Sequence, residues 1–399
     1  MDLSYGAENE AFRLEVRAFL AAEWRAEAAK GPGGKDAVKA FRRRATEAGY
    51  LNRAIPRRYG GSEQPADVLK AQIIREEFGR ARAPMEVGGN GLNMLVPTLL
   101  ERGEDWQKER FVRPTVEGDF IWAQGYSEPG SGSDLASIRT RGELVDGEWV
   151  IQGGKIWTSQ GDRSRYMFAL VRTEPDAPKH AGISYLLIDL RQPGVTIRPL
   201  RQMTGEAGFS QVFFDDVRTP ADWIVGRRGE GWQVSRTTLK HERGSIGGAD
   251  RSLELVDKLV QLARAATRFG RPAIEDREIR QDLAALEGWA LAQKYTAYRQ
   301  FSLAAAGKDA GIVPLLNKLY GTDIGHEAAR IAQELIGPAA LIQPAPPGTG
   351  PRGDEKWLDQ IMGSLGVAIA GGASNIQRNI ISERGLGLPR DLALKGDGA

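Results

Sequence analysis

Two short segments near the middle of the chain combine small residues, hydroxyl groups and aromatic rings in a way that suits a planar polar ligand. The first, WAQGYSEPGSGSD, spans residues 122–134, and the second, GKIWTS, spans residues 154–159. A loop of small residues lets backbone and hydroxyl donors approach a ligand closely. Each segment alone favours a polar β-turn followed by a core tryptophan, whereas the two together form a pattern that indicates a binding site.

The chain offers few residues for other kinds of catalysis. It has no cysteine, and its three histidines are His180, His241 and His326. Thiolate nucleophiles, disulfides and cysteine-ligated metals are therefore excluded. Residues 348–353 match GxGxxG, but prolines surround them, and the dinucleotide fingerprint requires a strand before it and a helix that starts at it. We therefore predict a surface loop there.

Hydrophobic periodicity predicts helices on both sides of these two segments. Phe12, Val16, Phe19 and Leu20 recur at the spacing of one helix face, and residues 68–78 and 93–100 continue the helical pattern. Helical spacing returns from about residue 231, and a final helix is predicted over residues 357–384.

The region between the helices has the alternation and punctuation of strands. Asp146-Gly147 separates two alternating runs within residues 120–225, which is a strong hairpin signal. Strands grouped in the middle argue against a doubly wound parallel sheet. We predict an α+β fold with an N-terminal helical domain (residues 1–118), a central antiparallel β domain (119–228) and a C-terminal helical bundle (229–399).

Composition narrows the class of protein. The 54 Lys and Arg residues nearly balance the 52 Asp and Glu residues, which argues against a dedicated nucleic-acid binder. No apolar run is long enough for a membrane span, and the first residues lack the pattern of a signal peptide. These features predict a cytoplasmic enzyme.

The two central segments resemble the signature of the acyl-CoA dehydrogenase family. That signature is Thr/Ser-Glu-Pro-x-(Ala/Ser)-Gly-Ser-Asp followed by a hairpin that contains Gly-x-Lys-x-Trp-(Ile/Thr)-(Thr/Ser). The chain reads SEPGSGSD at residues 127–134 and GGKIWTS at 153–159, and the similarity extends to RFGRP at 268–272 and SNIQRNII at 374–381. The chain is therefore identified as a member, and its helix–sheet–helix order is that of the acyl-CoA dehydrogenase fold.

The resemblance implies FAD-dependent dehydrogenation of an acyl-CoA thioester to the trans-2-enoyl-CoA, with electrons passed to an electron-transfer flavoprotein. This is a reaction of fatty acid and lipid metabolism. By position, Gln124, Tyr126 and Ser127 would line the flavin ring. Trp157 would pack against the ring, and the Ser159 hydroxyl would hydrogen-bond flavin N5.

The resemblance also implies roles for residues outside the flavin ring. Asn375 and Gln377 would border the cofactor, often across a subunit contact. Ser133 would contact the CoA portion of the substrate, and Arg243 would help to position the substrate.

The base that removes the α-proton is expected at an unusual position. Most members carry a glutamate just before Gly-Thr-Ser in the C-terminal segment, but Gly371 occupies that place here. Isovaleryl-CoA and long-chain acyl-CoA dehydrogenases instead carry it on the first helix of the C-terminal domain, directly before the positioning arginine, which is the place of Glu242. We predict Glu242 as the base, with a pKa that desolvation raises toward the operating pH; the alternative is a surface glutamate.

A departure from the family pattern concerns the FAD phosphates. The family usually has an arginine three residues before the Phe of Phe-Gly, and it reaches the FAD pyrophosphate of a neighbouring subunit; Ala266 stands there. Either Arg268 or Arg271 supplies the phosphate contact, or the contact is altered. The ending RGLGLPR at residues 384–390 resembles pimeloyl-CoA and steroid side-chain dehydrogenases, some of which combine two different subunits.

The quaternary structure and the chemistry therefore have alternatives. The protein is expected to form a homotetramer, a homodimer or a heteromer with a sister subunit. One alternative function is a non-catalytic or half-site subunit, and another is a different flavin reaction, such as that of an oxidase or a desulfinase. The small residues Gly371 and Gly372 predict space for branched or cyclic acyl groups.

Overall fold

The computed structural model describes residues 6–30, 33–243, 249–306, 308, 311–342 and 355–389. The chain divides into two compact units. The amino-terminal unit comprises Met1–Leu200 and Gly208–His241, and the carboxyl-terminal unit comprises Arg201–Ala207 and Glu242–Ala399. The three-domain boundaries given above stay a prediction.

The amino-terminal unit begins with helices whose apolar faces pack together. The helices are α1 (Ala7–Glu23), α2 (Gly34–Glu47), α3 (Val68–Arg80), α4 (Val96–Arg102) and α5 (Asp105–Val116). Val16 and Leu20 of α1 are buried with Phe41 and Phe78, as the helical spacing predicts. The α3 helix starts where it does because the Asp67 carboxylate accepts hydrogen bonds from the first free N–H groups.

The next region is a seven-stranded sheet. Its strands are β1 (Trp122–Gly125), β2 (Arg141–Val145), β3 (Glu148–Ser159), β4 (Tyr166–Arg172), β5 (Ile183–Asp189), β6 (Val195–Leu200) and β7 (Phe209–Pro220). The order is β1-β4-β2-β3-β7-β6, and β5 pairs with β4. Asp146 and Gly147, both with positive φ, form the tight turn between β2 and β3 that the sequence predicts.

All strand pairs are antiparallel except two: β4 runs parallel to β1 and to the start of β2. Strands joined by a tight hairpin must be antiparallel, whereas a longer connection allows a parallel neighbour. The β2–β3 hairpin separates β1 from β4 along the chain. This long connection lets β4 lie beside β1 and run parallel to it. The predicted α+β class and its order are confirmed, with this refinement of the sheet.

Helix α6 comprises Gly231–Arg243, and the amino-terminal unit includes it as far as His241. Gly231 lies against β5, where an added Cβ would come within 2.4 Å of the Ser184 carbonyl carbon. Val234 belongs to the same core as Phe111, Phe168 and other residues of α5 and the sheet.

The carboxyl-terminal unit is a helical bundle. Its elements are α7 (Ala249–Ala265), β8 (Thr267–Arg268), β9 (Arg271–Pro272), α8 (Arg277–Ala305), α9 (Val313–Ile336), α10 (Glu355–Val367) and α11 (Ser374–Ile380). The single helix predicted over residues 357–384 is wrong. It is broken between α10 and α11, where Gly371 and Gly372 have positive φ. Every helix of the described residues is too short or too polar to cross a membrane.

Candidate active site

The two segments singled out from the sequence lie side by side. Ser127 follows β1, and its carbonyl oxygen accepts a hydrogen bond of 2.8 Å from the Ile156 N–H of β3. Gln124 is half-buried on β1, beside β4. The strand fits there because Gly125 has no side chain, and a Cβ would lie 2.3 Å from Met167 Sδ. Tyr126 is buried, with its ring edge-on to Phe168.

A buried ion pair joins the two segments from beneath. Lys155 Nζ lies 2.7 Å from Glu128 Oε1, and both side chains are buried. Glu128 also accepts hydrogen bonds from the N–H groups of Arg139 (2.6 Å) and Thr140 (3.0 Å). Burial alone would raise the pKa of Glu128, but the Lys155 ammonium and these donors hold it below its ordinary value. Both residues belong to the family motif, but the motif alone does not predict this structural role.

Trp157 stands out of the sheet at a break in its register. The pairing of β3 with β7 shifts between Lys155 and Thr158, and Trp157 adopts φ +58° there. Its side chain is 58% exposed, with only an edge contact to Phe209 at 6.0 Å between ring centroids. A bulge re-aims a side chain in this way. The alternative of a core tryptophan is therefore wrong.

Hydroxyl groups flank the exposed indole. Ser127 and Ser159 are half-buried, and neither hydroxyl has a hydrogen-bond partner within the described part of the chain. Ser133 is exposed on the loop before β2. The next residue, Asp134, anchors that loop through an ion pair of 2.6 Å with Lys179.

A buried chain of hydroxyls connects α6 to α4 and to β5. Thr98 Oγ1 of α4 lies 2.9 Å from Thr238 Oγ1, which donates to the Tyr185 hydroxyl at 3.4 Å. The Tyr185 ring packs edge-on against Tyr126 with 6.3 Å between ring centroids, and burial raises the pKa of Tyr185. His241 Nε2 lies 2.8 Å from Glu101 Oε1, so this histidine links α6 to α4. The hydroxyl groups hold α6 against α4 and β5.

Glu242 and Arg243, the predicted base and positioning residue, form the last two residues of α6. Their side chains lie outside the described residues.

The turn that replaces the usual base position is tightly built. A Cβ on Gly372 would lie 2.3 Å from Gln377 Nε2, which donates to the Gly371 carbonyl at 3.4 Å. Gln377 is therefore buried under the turn, whereas Asn375 is exposed. Lys318 of α9 is also buried, and its Nζ donates to the Ala368 carbonyl at 3.4 Å.

The two arginines near Phe269 have different surroundings. The Arg268 guanidinium lies within 3.2 Å of Asp276, 3.0 Å of Glu278 and 2.9 Å of Glu334. Three carboxylates thus already neutralise it. Arg271 is exposed, and its side chain has no partner among the residues described.

Comparison with known proteins decides the family. Residues 6–119, 123–217 and 229–386 match the N-terminal, middle and C-terminal domains of acyl-CoA dehydrogenases. The chain is also 38% identical to the acyl-CoA dehydrogenase IpdE1 of Mycobacterium tuberculosis, over 96% of this chain and 98% of that protein. The chain belongs to the acyl-CoA dehydrogenase family. It is thus an FAD-dependent oxidoreductase of lipid metabolism.

One further relative and two solved structures are also similar to this chain. FadE29 of Mycobacterium tuberculosis is 29% identical over 96% of this chain and 97% of that protein. The crystal structure of the ChsE4-ChsE5 complex from the same organism has a TM-score of 0.77 and 28% identity, with coverage of 98% of this chain and 100% of that chain. A structure described as the Tcur3481-Tcur3483 steroid ACAD has the same TM-score, identity and coverage.

The family implies a flavin cofactor, and the residues present fit one. An isoalloxazine ring is planar, with an apolar face and hydrogen-bonding edges. The exposed indole of Trp157 offers an apolar face, and the Ser127 and Ser159 hydroxyls offer uncommitted hydrogen-bonding groups.

Proposed function

We propose that this acyl-CoA dehydrogenase oxidises the α–β bond of an acyl-CoA thioester to the trans-2-enoyl-CoA, with Glu242 as the base. The observation that carries the proposal is an exposed indole with uncommitted hydroxyls beside it, on two segments that a buried ion pair joins. Bound FAD supplies the acceptor for the hydride that leaves the β-carbon.

The residues of the frame orient the cofactor. Trp157 covers one part of the flavin ring, and the Ser159 hydroxyl donates to its edge. Gln124, Tyr126 and Ser127 line the ring from the side of β1. The Glu128–Lys155 pair holds these groups in place, because it ties the loop after β1 to β3.

Glu242 takes the proton from the α-carbon in this proposal. Its place in the chain supports the proposal, since residue 242 directly precedes Arg243 at the end of α6, where the family resemblance puts the base. Gly371 has no side chain with which to compete for the role. Arg243 then positions the substrate, and Ser133 contacts its CoA portion.

Glu242→Gln tests the base directly. The variant keeps the shape of the side chain but removes the proton acceptor, so acyl-CoA oxidation with a dye acceptor is expected to fall by about three orders of magnitude or more. Flavin content measured by absorbance should stay at the wild-type level. Glu109→Gln, at an exposed position of α5, is the matched control and should keep the wild-type turnover. Unchanged turnover in Glu242→Gln would refute the role.

The proposed substrates are bulky acyl-CoA thioesters, with a ring system or a branch near the reacting carbons. A relative of known structure is described as a steroid ACAD, and the absence of side chains at Gly371 and Gly372 would leave room for such groups if this turn borders the substrate. Rates measured across straight, branched and ring-bearing acyl-CoAs test the idea. Exclusive use of short linear chains would contradict it. Electrons are proposed to pass to an electron-transfer flavoprotein.

A half-site subunit is the second candidate, because the chain lacks the usual residues at Gly371 and Ala266 and because ChsE4-ChsE5 is described as a complex. Purified alone, an active homomer is expected to be yellow and to bleach with its acyl-CoA. A colourless protein that takes up FAD only with a sister subunit would favour the half-site reading.

For the FAD phosphates we propose Arg271, because Arg268 is already paired with three carboxylates. Arg271→Gln is expected to weaken FAD binding about tenfold or more, since one charge-assisted hydrogen bond to a phosphate contributes that much. Asn375 and Gln377 are proposed to border the cofactor, Asn375 directly and Gln377 by supporting the Gly371–Gly372 turn.

A further inference from the structure

The last turn of α6 is attached to α4 through side chains. Thr98 of α4 and Thr238 of α6 form the buried hydroxyl pair. About one turn further along both helices, the side chains of Glu101 and His241 meet. His241 is the last residue before Glu242 whose side chain the structure describes. The contact therefore fixes α6 directly before the residue that is proposed as the base.

The contact is a direct hydrogen bond between the two helices. His241 Nε2 is the donor and Glu101 Oε1 the acceptor, 2.8 Å apart, since an ionised carboxylate can only accept. The side chains are partly exposed, 28% for His241 and 43% for Glu101. Such a pair contributes little to the stability of the whole protein, because water competes for both groups. The effect of its loss is therefore expected to be local to the end of the helix.

Other restraints on this end of α6 are weaker or lie further back. Arg102 Nε donates to Thr237 Oγ1 only at 3.4 Å, and Leu239 packs half-buried against the core of the amino-terminal unit. Lys240 is exposed and has no partner among the residues described. Amides at helix ends open at small free energies. A weak pair can thus decide the order of the last turn although it adds little to the whole fold.

We propose that Glu101 is a positioning residue for the dehydrogenation and acts through His241. The inference rests on the proposed function, in which residue 242 supplies the base. A base must lie at the right distance from the α-carbon, and a displacement of about 1 Å can slow a reaction about a hundredfold. The Glu101–His241 hydrogen bond holds the backbone from which the base extends. Its loss therefore affects kcat more than it affects stability.

Hydrogen exchange of the full-length, FAD-loaded protein tests the attachment without any turnover. Glu101→Ala should speed the exchange of amides at the end of α6 about two- to fivefold, the range that corresponds to loss of one exposed pair. Glu101→Gln should exchange like the wild type, because its amide oxygen also accepts a hydrogen bond from His241 Nε2. Unchanged exchange in Glu101→Ala overturns the proposal.

Steady-state kinetics test the consequence, with the acyl-CoA that the wild type oxidises fastest among straight, branched and ring-bearing ones. Glu101→Ala should lower kcat about tenfold or more and leave KM within about twofold, whereas Glu101→Gln should keep most of kcat. His241→Ala and Glu101→Ala/His241→Ala should be about as slow as Glu101→Ala, because all three lack the same hydrogen bond. A Glu101→Gln variant as slow as Glu101→Ala, or losses that multiply in the double variant, would overturn the assignment.

Glu23→Ala is the matched control. Glu23 accepts a hydrogen bond of 2.6 Å from Arg44 Nε, which joins α1 to α2 through side chains 39% and 45% exposed. The control should be about as stable to urea as Glu101→Ala and keep the wild-type kcat. An equal loss of kcat in the control overturns the proposal, as does wild-type turnover in Glu101→Ala beside an inactive Glu242→Gln. Full turnover in Glu242→Gln refutes the proposed function, and the positioning role with it, whatever the exchange shows.

Discussion

The buried pair of Glu128 and Lys155 shows how single residues set the geometry of the flavin frame. Each charge is removed from water, so each depends on the other and on nearby donors. Loss of one partner leaves an uncompensated buried charge, whereas loss of both leaves two neutral groups. The pair is therefore sensitive to single substitutions and tolerant of a matched double one.

Lys155→Met is expected to lower the free energy of unfolding by about 3–5 kcal/mol, because the Glu128 carboxylate remains buried without its cation. Urea unfolding followed by circular dichroism measures this. Glu128→Gln/Lys155→Met should recover most of the loss. Lys179→Met removes an exposed partner of Asp134 and should cost less than about 1 kcal/mol. Equal losses in the Lys155 and Lys179 variants would contradict the assigned role.

Glu128 also gives the stability a dependence on pH. Its pKa in the folded protein lies below the ordinary value of 4.5, so the unfolded chain binds its proton more readily. The contribution is complete above that ordinary value and is lost as the pH falls through the lower folded pKa. Unfolding of wild type and Glu128→Gln, compared on both sides of pH 4.5, is expected to show a stability gap that shrinks as the pH falls below that value. A gap that widens in acid would show that folding raises the pKa of Glu128 instead of lowering it.

At the scale of elements, the position of α6 depends on one close approach. Gly231 lies against β5, where an added Cβ would come within 2.4 Å of the Ser184 carbonyl carbon, and backbone on both sides leaves no flexible group to yield. The approach brings the Thr238 face of α6 to Tyr185. The helix that carries Glu242 is therefore held by packing that only glycine permits.

Gly231→Ala is expected to destabilise the protein by more than about 1 kcal/mol and to lower dehydrogenase activity further than stability alone explains. Thermal unfolding and initial rates at saturating substrate measure the two effects. Gly79→Ala, in α3, meets nothing within 4 Å and should be neutral or stabilising by about 0.5–1 kcal/mol. Similar effects of the two substitutions would show that α6 is not held by this contact.

The elements were largely predictable from the sequence, and their breaks were not. Alternating runs around Asp146-Gly147 predict the β2–β3 hairpin because that dipeptide suits positive φ. Glycines at 371 and 372 did not lead to a predicted turn, because the apolar spacing of a helix continues on both sides of them. Trp157 was ambiguous, because whether an indole is buried or exposed depends on a register shift between β3 and β7 that no local pattern encodes. The Glu128–Lys155 contact joins residues 27 positions apart, and no local sequence pattern predicts which residues meet at that separation.

At the scale of the molecule, apolar surface is unevenly distributed. Large exposed apolar side chains are more frequent on the described part of the carboxyl-terminal unit than on the amino-terminal unit. Leu365 of α10 and Ile369 in the following turn are prominent among them, and Ile369 is 73% exposed. Clustered exposed apolar side chains mark contact surfaces, which agrees with the oligomer expected of the family.

The double variant Leu365→Arg/Ile369→Arg is expected to shift the protein toward a monomer, because two charges then have to be desolvated in the contact. Sedimentation velocity measures the shift, and circular dichroism should remain that of a folded chain. Leu14→Arg, on an exposed position of α1, is the control and should leave the assembly unchanged. Flavin content should fall together with the assembly if a neighbouring subunit completes the cofactor site. A monomer that keeps its full flavin would instead show that each chain holds its FAD alone, and an unshifted assembly would place the subunit contact elsewhere.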